Sequence, residues 1–230
     1  KLWKDPYAAE IKNLTDHNVA ISVPLAEARQ RGLRISKSTV AFKVREHPMH
    51  PGFAVQFKVR LCVAGYQLQP YDNNGVLLEN SSAMINPAVS RAIDAVRVRD
   101  ARFKCLLGDY KSAYLHVPVP TVERHVMEDP ARPGWGLLFL HRLYGDPRAG
   151  QQLYEYNYKI LTNIGFAPSR LDPCWFIWRR DTSVIDFALS TDDFKVWFNN
   201  DSVTQLRASA FLHPRFGYGA SCVLGDDLDA

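Results

Sequence analysis

Two adjacent carboxylates, Asp192 and Asp193, stand between two apolar runs, and this constrains the chain more than any other stretch. Val184 to Leu189, broken only by Asp186, leads into them, and Phe194, Val196, Trp197 and Phe198 follow. The pattern predicts two strands joined by a tight turn with the acids at the bend, where Asp is a favoured residue. Side chains alternate faces along a strand, so one buried partner cannot satisfy both acids. A hard divalent cation can. A second apolar run, Arg102 to Gly108, ends on Asp109 in the same way. Two strand ends carrying carboxylates are what two-metal phosphoryl transfer requires, because the ions activate the attacking hydroxyl and neutralise charge on the phosphorus oxygens and leaving group. Tyr114, shortly after Asp109, is either an ordinary core tyrosine or a residue beside an incoming sugar, excluding a 2′-hydroxyl by bulk.

Asp5-Pro6 opens a helix, a capping residue before Pro at the first helical position, with Ala8, Ala9, Ile11 and Leu14 as its apolar stripe. Runs from Thr39 to Arg45 and from Ala54 to Ala64 predict a hairpin around the Pro/Gly cluster His47 to Gly52. Alternation puts Lys43 and Arg45 on one face of its first strand and Lys58 and Arg60 on one face of its second, which suits phosphate contact. His47 and His50 read as turn residues rather than metal ligands, given the two prolines between and beside them. Residues 65–86 read as a connecting loop. Asn86-Pro87 starts a helix through Val98, and short strands follow at His125–Met127 and Gly136–Leu140. A helix over Arg148–Ile164 stops near Gly165; strands at Cys174–Trp178 and Val184–Leu189 precede the acidic turn, and a last helix is expected over Asp201–Leu212. Strands and helices interleave without βαβ repetition, so the predicted class is α+β, an antiparallel sheet with helices on one face.

The hydrophobic content of 47% in 230 residues supplies core for one large domain or two small ones. A net charge of +4 permits a nucleic-acid partner without demanding one. Cys62, Cys105, Cys174 and Cys222 lie far apart with no CxxC pair, which argues against a zinc site or a disulfide framework and for reduced thiols. No apolar run reaches membrane-spanning length and no signal peptide opens the chain, so an intracellular protein with no membrane partner is expected. The initial Lys1 predicts a fragment of a longer chain.

The order of motifs resembles the reverse transcriptase domain of copia-type LTR retrotransposons, over nearly the whole chain. The family's fingers hairpin, KxK followed by YKARLVAKG, is matched by Lys43-Val44-Arg45 and by Phe57-Lys58-Val59-Arg60-Leu61-Cys62-Val63-Ala64-Gly65. Its DVKTAFL corresponds to Asp109-Tyr110-Lys111-Ser112-Ala113-Tyr114-Leu115, and its LYGLKQAPR to Leu143 through Gln151. The pattern GFxxSxxDPCxF stands as Gly165-Phe166, Ser169 and Asp172-Pro173-Cys174-Trp175-Phe176, a match hard to obtain by chance. The YVDD turn is Ser190-Thr191-Asp192-Asp193, and the closing FLG is Val223-Leu224-Gly225.

The resemblance implies an RNA-directed DNA polymerase, a nucleotidyltransferase acting on an RNA or DNA template-primer and dNTP in a cytoplasmic particle or nucleus. Its palm carries Asp109, Asp192 and Asp193 on two Mg²⁺ ions, with Mn²⁺ as a substitute. Arg60 contacts the nucleotide phosphates and Tyr114 gates the sugar; Lys43, Arg45 and Lys58 are further candidates for phosphates or template backbone. The whole of 1–230 is then a single reverse transcriptase fragment, about 1–100 fingers with the opening helix and 101–230 mainly palm, without thumb, connection or RNase H region. Departures fall near the chemistry. Ser190-Thr191 replaces a bulky pair expected beneath the turn, Arg148 stands where the family has Gln near the nucleotide, and Ala64 replaces a lysine. They leave a second expectation, a non-catalytic nucleic-acid-binding remnant of such an element. Gly225-Asp226-Asp227 resembles the acidic turn of a viral RNA-dependent RNA polymerase, but only Leu228-Asp229-Ala230 follows where a strand is needed, so a solvated tail is expected.

Overall fold

The structure, a computed structural model, describes residues 3–16, 18–47, 50–68, 74–77, 82–110 and 112–199, with backbone alone for 45–47, 50–56 and 109. The expected helix over Asp201–Leu212, the Val223-Leu224-Gly225 match and the Gly225-Asp226-Asp227 stretch lie outside the described residues. In chain order the elements are α1 (Lys4–Asp16), β1 (Ala20–Pro24), α2 (Leu25–Gln30), β2 (Arg34–Ser36), β3 (Ser38–His47), β4 (His50–Val63), α3 (Pro87–Arg97), β5 (Phe103–Asp109), β6 (His125–Glu128), β7 (Trp135–Phe139), α4 (Ala149–Asn163), β8 (Ala167–Pro168), β9 (Trp175–Arg180), β10 (Ser183–Ser190) and β11 (Asp193–Asn199). The α+β class holds. Two compact units, each drawing on two stretches of chain, comprise Lys1–Asn80 with Tyr114–Ala149, and Ser81–Ala113 with Gly150–Ala230.

In the first unit β1, β7, β6 and β2 form a mixed sheet in that order, with β2 and β6 parallel. One face of this sheet packs Met127 and Phe139 with Leu14 of α1 and Leu61 and Val63 of β4. The other packs Val126 and Leu138 with Leu25 and Ala28 of α2. The predicted hairpin forms as β3–β4, but its strands run further than the Pro/Gly cluster suggested: His47 pairs with His50, across register shifts at Glu46. Such shifts let one strand carry more residues than its partner while the ladder continues.

His125 is buried at the start of β6, its Nε2 has no hydrogen-bond partner and its ring lies 5.7 Å from that of Phe139. Burial holds its imidazole below the ordinary histidine value; the positive Arg142 and Arg34 add to this, against Asp146 and a hydrogen bond with the Glu123 backbone. A neutral folded-state histidine contributes stability that is complete above the unfolded value of about 6.5 and is lost as pH falls toward the folded value. Urea midpoints should therefore fall between about pH 7 and pH 5. In the non-titrating His125→Gln variant this fall should be smaller.

The second unit holds an antiparallel sheet ordered β5-β11-β10-β9-β8. The expectation of helices on one face of the sheet is corrected here. Phe176 and Phe187 are register partners, and the Tyr158 ring of α4 meets Phe176 at 5.7 Å. Ala188, the next residue, points to the opposite face with Trp197, and Ile93 and Val89 of α3 pack there. The reason is visible in the burial of β10 and β11, where consecutive residues are buried and each face therefore needs a cover. Asn86 caps α3, accepting from the Ala88 N–H at 2.8 Å ahead of Pro87. Opposite charges tie α3 to the sheet: Arg97 Nε donates to the fully buried Asp186 at 2.6 Å, and Lys195 Nζ donates to Asp94 at 2.6 Å. Trp175 and Trp197 donate their indole N–H groups to those same two carboxylates at 3.1 and 2.9 Å. Among the described residues no helix is long and apolar enough to cross a membrane.

Candidate functional site

Ser190 and Asp193 are register partners, so Thr191 and Asp192 are the two loop residues of the β10–β11 hairpin. Thr191 has φ +58°. That conformation is unusual for a β-branched residue and stores strain at the turn. On the other side of β11, Asp193 is the register partner of Asp109, the last residue of β5. Directly opposed residues of antiparallel strands have Cα atoms about 4.5–5.5 Å apart. The Tyr110 N–H, one residue on, donates to the Asp192 carbonyl at 2.8 Å. Three acids separated in sequence thus lie within one strand spacing of each other along the backbone.

Gly108 explains how β5 approaches so closely. A Cβ there would fall 2.1 Å from Cζ of Phe194, whose ring stacks on Phe187 at 5.5 Å and meets Tyr110 at 4.9 Å. Phe194 therefore lies over a position that only glycine leaves open. Asp192 is half-buried and Asp193 exposed, and no ion pair among the described residues includes the Asp192 carboxylate. Among the described residues no three His, Cys, Asp or Glu side chains are grouped to hold a metal; the side chain of Asp109 is outside that set. The donor chemistry itself, carboxylates at adjoining strand ends, is that of hard oxygen-seeking cations.

The other expected residues lie in the first unit. Lys43 and Lys58 are register partners, so two ammonium groups project from one face of the β3–β4 hairpin, with Arg60 two residues along. Like charges directly opposed across strands destabilise a sheet, and the buried Glu10 carboxylate of α1 lies close enough to Lys58 and Arg60 to feel both. The Arg60 guanidinium lies 4.2 Å from the centroid of the Tyr144 ring, and the Tyr114 ring meets the same ring edge-on at 5.5 Å. Arg148 has a different setting. It donates to Glu123 at 2.5 Å, Glu123 also pairs with the buried Arg142, and Arg142 donates to Asp146 at 2.6 Å.

No family model matches the chain, and no curated protein matches it either.

The Asp172-Pro173-Cys174 stretch turns out to be a fastening. The buried Asp172 accepts from the Asn86 N–H at 2.7 Å and the Cys174 N–H at 2.8 Å, and the Tyr154 hydroxyl donates to the Pro173 carbonyl at 3.1 Å. Burial, with the nearby Asp172 charge, pushes the Cys174 thiol up to about 12, so it stays protonated and unreactive. Among the described residues Cys62, Cys105 and Cys174 are free thiols, and Cys222 lies outside them. Sequence reasoning missed Tyr144 and the Glu123–Arg142–Asp146–Arg148 cluster. Tyr144 could have been found as the aromatic inside the Leu143–Gln151 match; the ion cluster has no periodic signal.

Proposed function

We propose that this chain is the RNA-directed DNA polymerase domain of a copia-type retrotransposon polyprotein, its second unit acting as palm and the β3–β4 hairpin as part of the fingers. The observation that carries the reading is the register of β5, β11 and β10, which sets Asp109 beside Asp193 and ties Tyr110 to Asp192. Asp109, Asp192 and Asp193 would hold two Mg²⁺ ions, whose chemistry is to acidify a primer 3′-hydroxyl and neutralise the departing pyrophosphate. The protein's part is positional. The strained Thr191 turn and the stacked Phe194 fix where the turn acids stand, and by the resemblance Arg60 would contact the triphosphate and Tyr114 would gate the sugar. In-line attack by the primer oxygen on the α-phosphorus then needs little further chemistry from side chains.

The opposed Lys43 and Lys58 support a nucleic-acid backbone contact and equally suit the second reading, a non-catalytic binding remnant. Primer extension on an RNA template with deoxynucleotides and Mg²⁺ separates the two. The unaltered chain should extend the primer and Asp109→Asn should not; template binding without extension in either protein favours the remnant. In both readings Lys43→Ala combined with Lys58→Ala should weaken template binding. The slope of log affinity against log salt should fall by about 0.7–0.9 for each phosphate contact removed. An unchanged slope would remove the hairpin from the nucleic-acid contact.

A further inference from the structure

The segment from Leu143 to Arg148 is held against the end of β4 more tightly than a connecting loop requires. The Val63 N–H donates to the Tyr144 carbonyl at 2.8 Å. Gly145 has φ +84°, and a Cβ there would lie 2.2 Å from the Val63 carbonyl oxygen. Gly65 faces it in turn, where a Cβ would lie 2.0 Å from the Gly145 oxygen. Two glycines therefore let two backbones meet where any side chain would hold them apart. Just beyond, Asp146 is pinned by Arg142 at 2.6 Å and itself accepts the Arg148 N–H at 2.9 Å.

The side chain that these contacts position is Tyr144. Its ring lies under the Arg60 guanidinium at 4.2 Å and against the Tyr114 ring at 5.5 Å, with planes at 85°. An arginine on a strand face has many rotamers, and a ring beneath its guanidinium favours a few of them electrostatically. An edge-on neighbour does the same for a tyrosine.

We propose that Tyr144 is a positioning residue that sets Arg60 and Tyr114 together, coupling grip on the nucleotide triphosphate to selection of its sugar through one shared ring. This rests on the polymerase reading above. Two properties that are separate in a simple active site then move together when one residue changes. Tyr144 itself touches no reacting atom; it acts through its two neighbours.

The test is single-nucleotide incorporation on an RNA template with dATP or ATP, for the unaltered chain, Tyr144→Leu and Tyr144→Phe, with equilibrium dATP binding measured in parallel. Tyr144→Leu should raise the KM for dATP by about 5- to 10-fold with kcat nearly unchanged, and lower discrimination against ATP by a similar factor. Tyr144→Phe keeps the π face and should restore both. A merely structural role would lower kcat through the fraction of folded protein and leave KM and discrimination alone. Extension by the unaltered chain with Tyr144→Leu unchanged, or with Phe no better than Leu, overturns this inference and leaves the polymerase reading standing. A chain that neither extends primers nor binds dATP overturns both. If it binds dATP without extending, weaker binding by Tyr144→Leu than by Tyr144→Phe supports the role, and equal binding overturns it.

Discussion

Asp192→Asn should lower primer extension by at least about 10³-fold, roughly 4 kcal/mol of transition-state stabilisation, while the protein stays folded. The substitution keeps the size and shape of the side chain and removes one negative charge from a group of three acids. Asp192 sits in the two-residue loop, half-buried, with its backbone carbonyl already engaged by the Tyr110 N–H, so Asn fits the same turn. What changes is the capacity to hold a cation. Without metal the substitution, at a half-buried turn position, should leave the urea midpoint within the equivalent of about 1 kcal/mol of the unaltered chain. Mg²⁺ should separate the two. It should stabilise the unaltered chain by mass action on the folded state and have little effect on the variant. Two melts with and without Mg²⁺, beside one extension assay, therefore read the same site independently. Equal stabilisation of both proteins by Mg²⁺, with equal extension rates, would show that the acids are an ordinary acidic turn.

The parts of this arrangement that were legible beforehand are those with a local signature. Asp192 and Asp193 interrupt an apolar run, and Asn86-Pro87 announces a helix start, so the β10–β11 hairpin and α3 appear about where the sequence put them. What escaped is non-local. β2 is three residues long and pairs in parallel with β6, and nothing in Arg34-Ile35-Ser36 names a partner so distant in sequence. α2 has only six residues, too few for a periodic stripe to emerge. The placement of α3 and α4 on opposite faces could not come from helix periodicity, which says which stripe of a helix is buried but not against which side of a sheet. The hint lay in the strands. Buried residues in succession, as in Phe187-Ala188-Leu189 and Val196-Trp197-Phe198, mean cover on both sides. For the candidate site, the acids were legible as residue types at strand ends, whereas their convergence depends on β11 lying between β5 and β10. Gly108 carries that convergence, and its meaning appears only once Phe194 is seen across from it.

Arg142→Met should be the most destabilising single change in the first unit, costing about 3–5 kcal/mol. Arg142 is 2% exposed and its guanidinium serves two buried carboxylates, Asp146 through Nη1 and Glu123 through Nη2. Removing it takes the Nη2 contact from Glu123, which Arg148 also pairs, and the Nη1 contact from Asp146, which also accepts the Arg148 N–H, so the buried carboxylates lose a shared counterion. Breaking one side of such a pair costs far more than the pair contributes, because the charge left behind cannot return to water. Against a typical folding free energy of about 5–15 kcal/mol this is a large share, and it should appear as a lower urea midpoint with little change in slope. Arg142→Lys supplies a charge without the planar fork and cannot reach both acids at once, so it should recover only part of the loss. Pairing Arg142→Met with Asp146→Asn separates the effects. The double variant should lose less than the sum of the singles, since the charge that Met strands is gone. A loss below about 1 kcal/mol for Arg142→Met, or strict additivity in the cycle, would mean that the cluster is wet and mobile rather than a buried clamp.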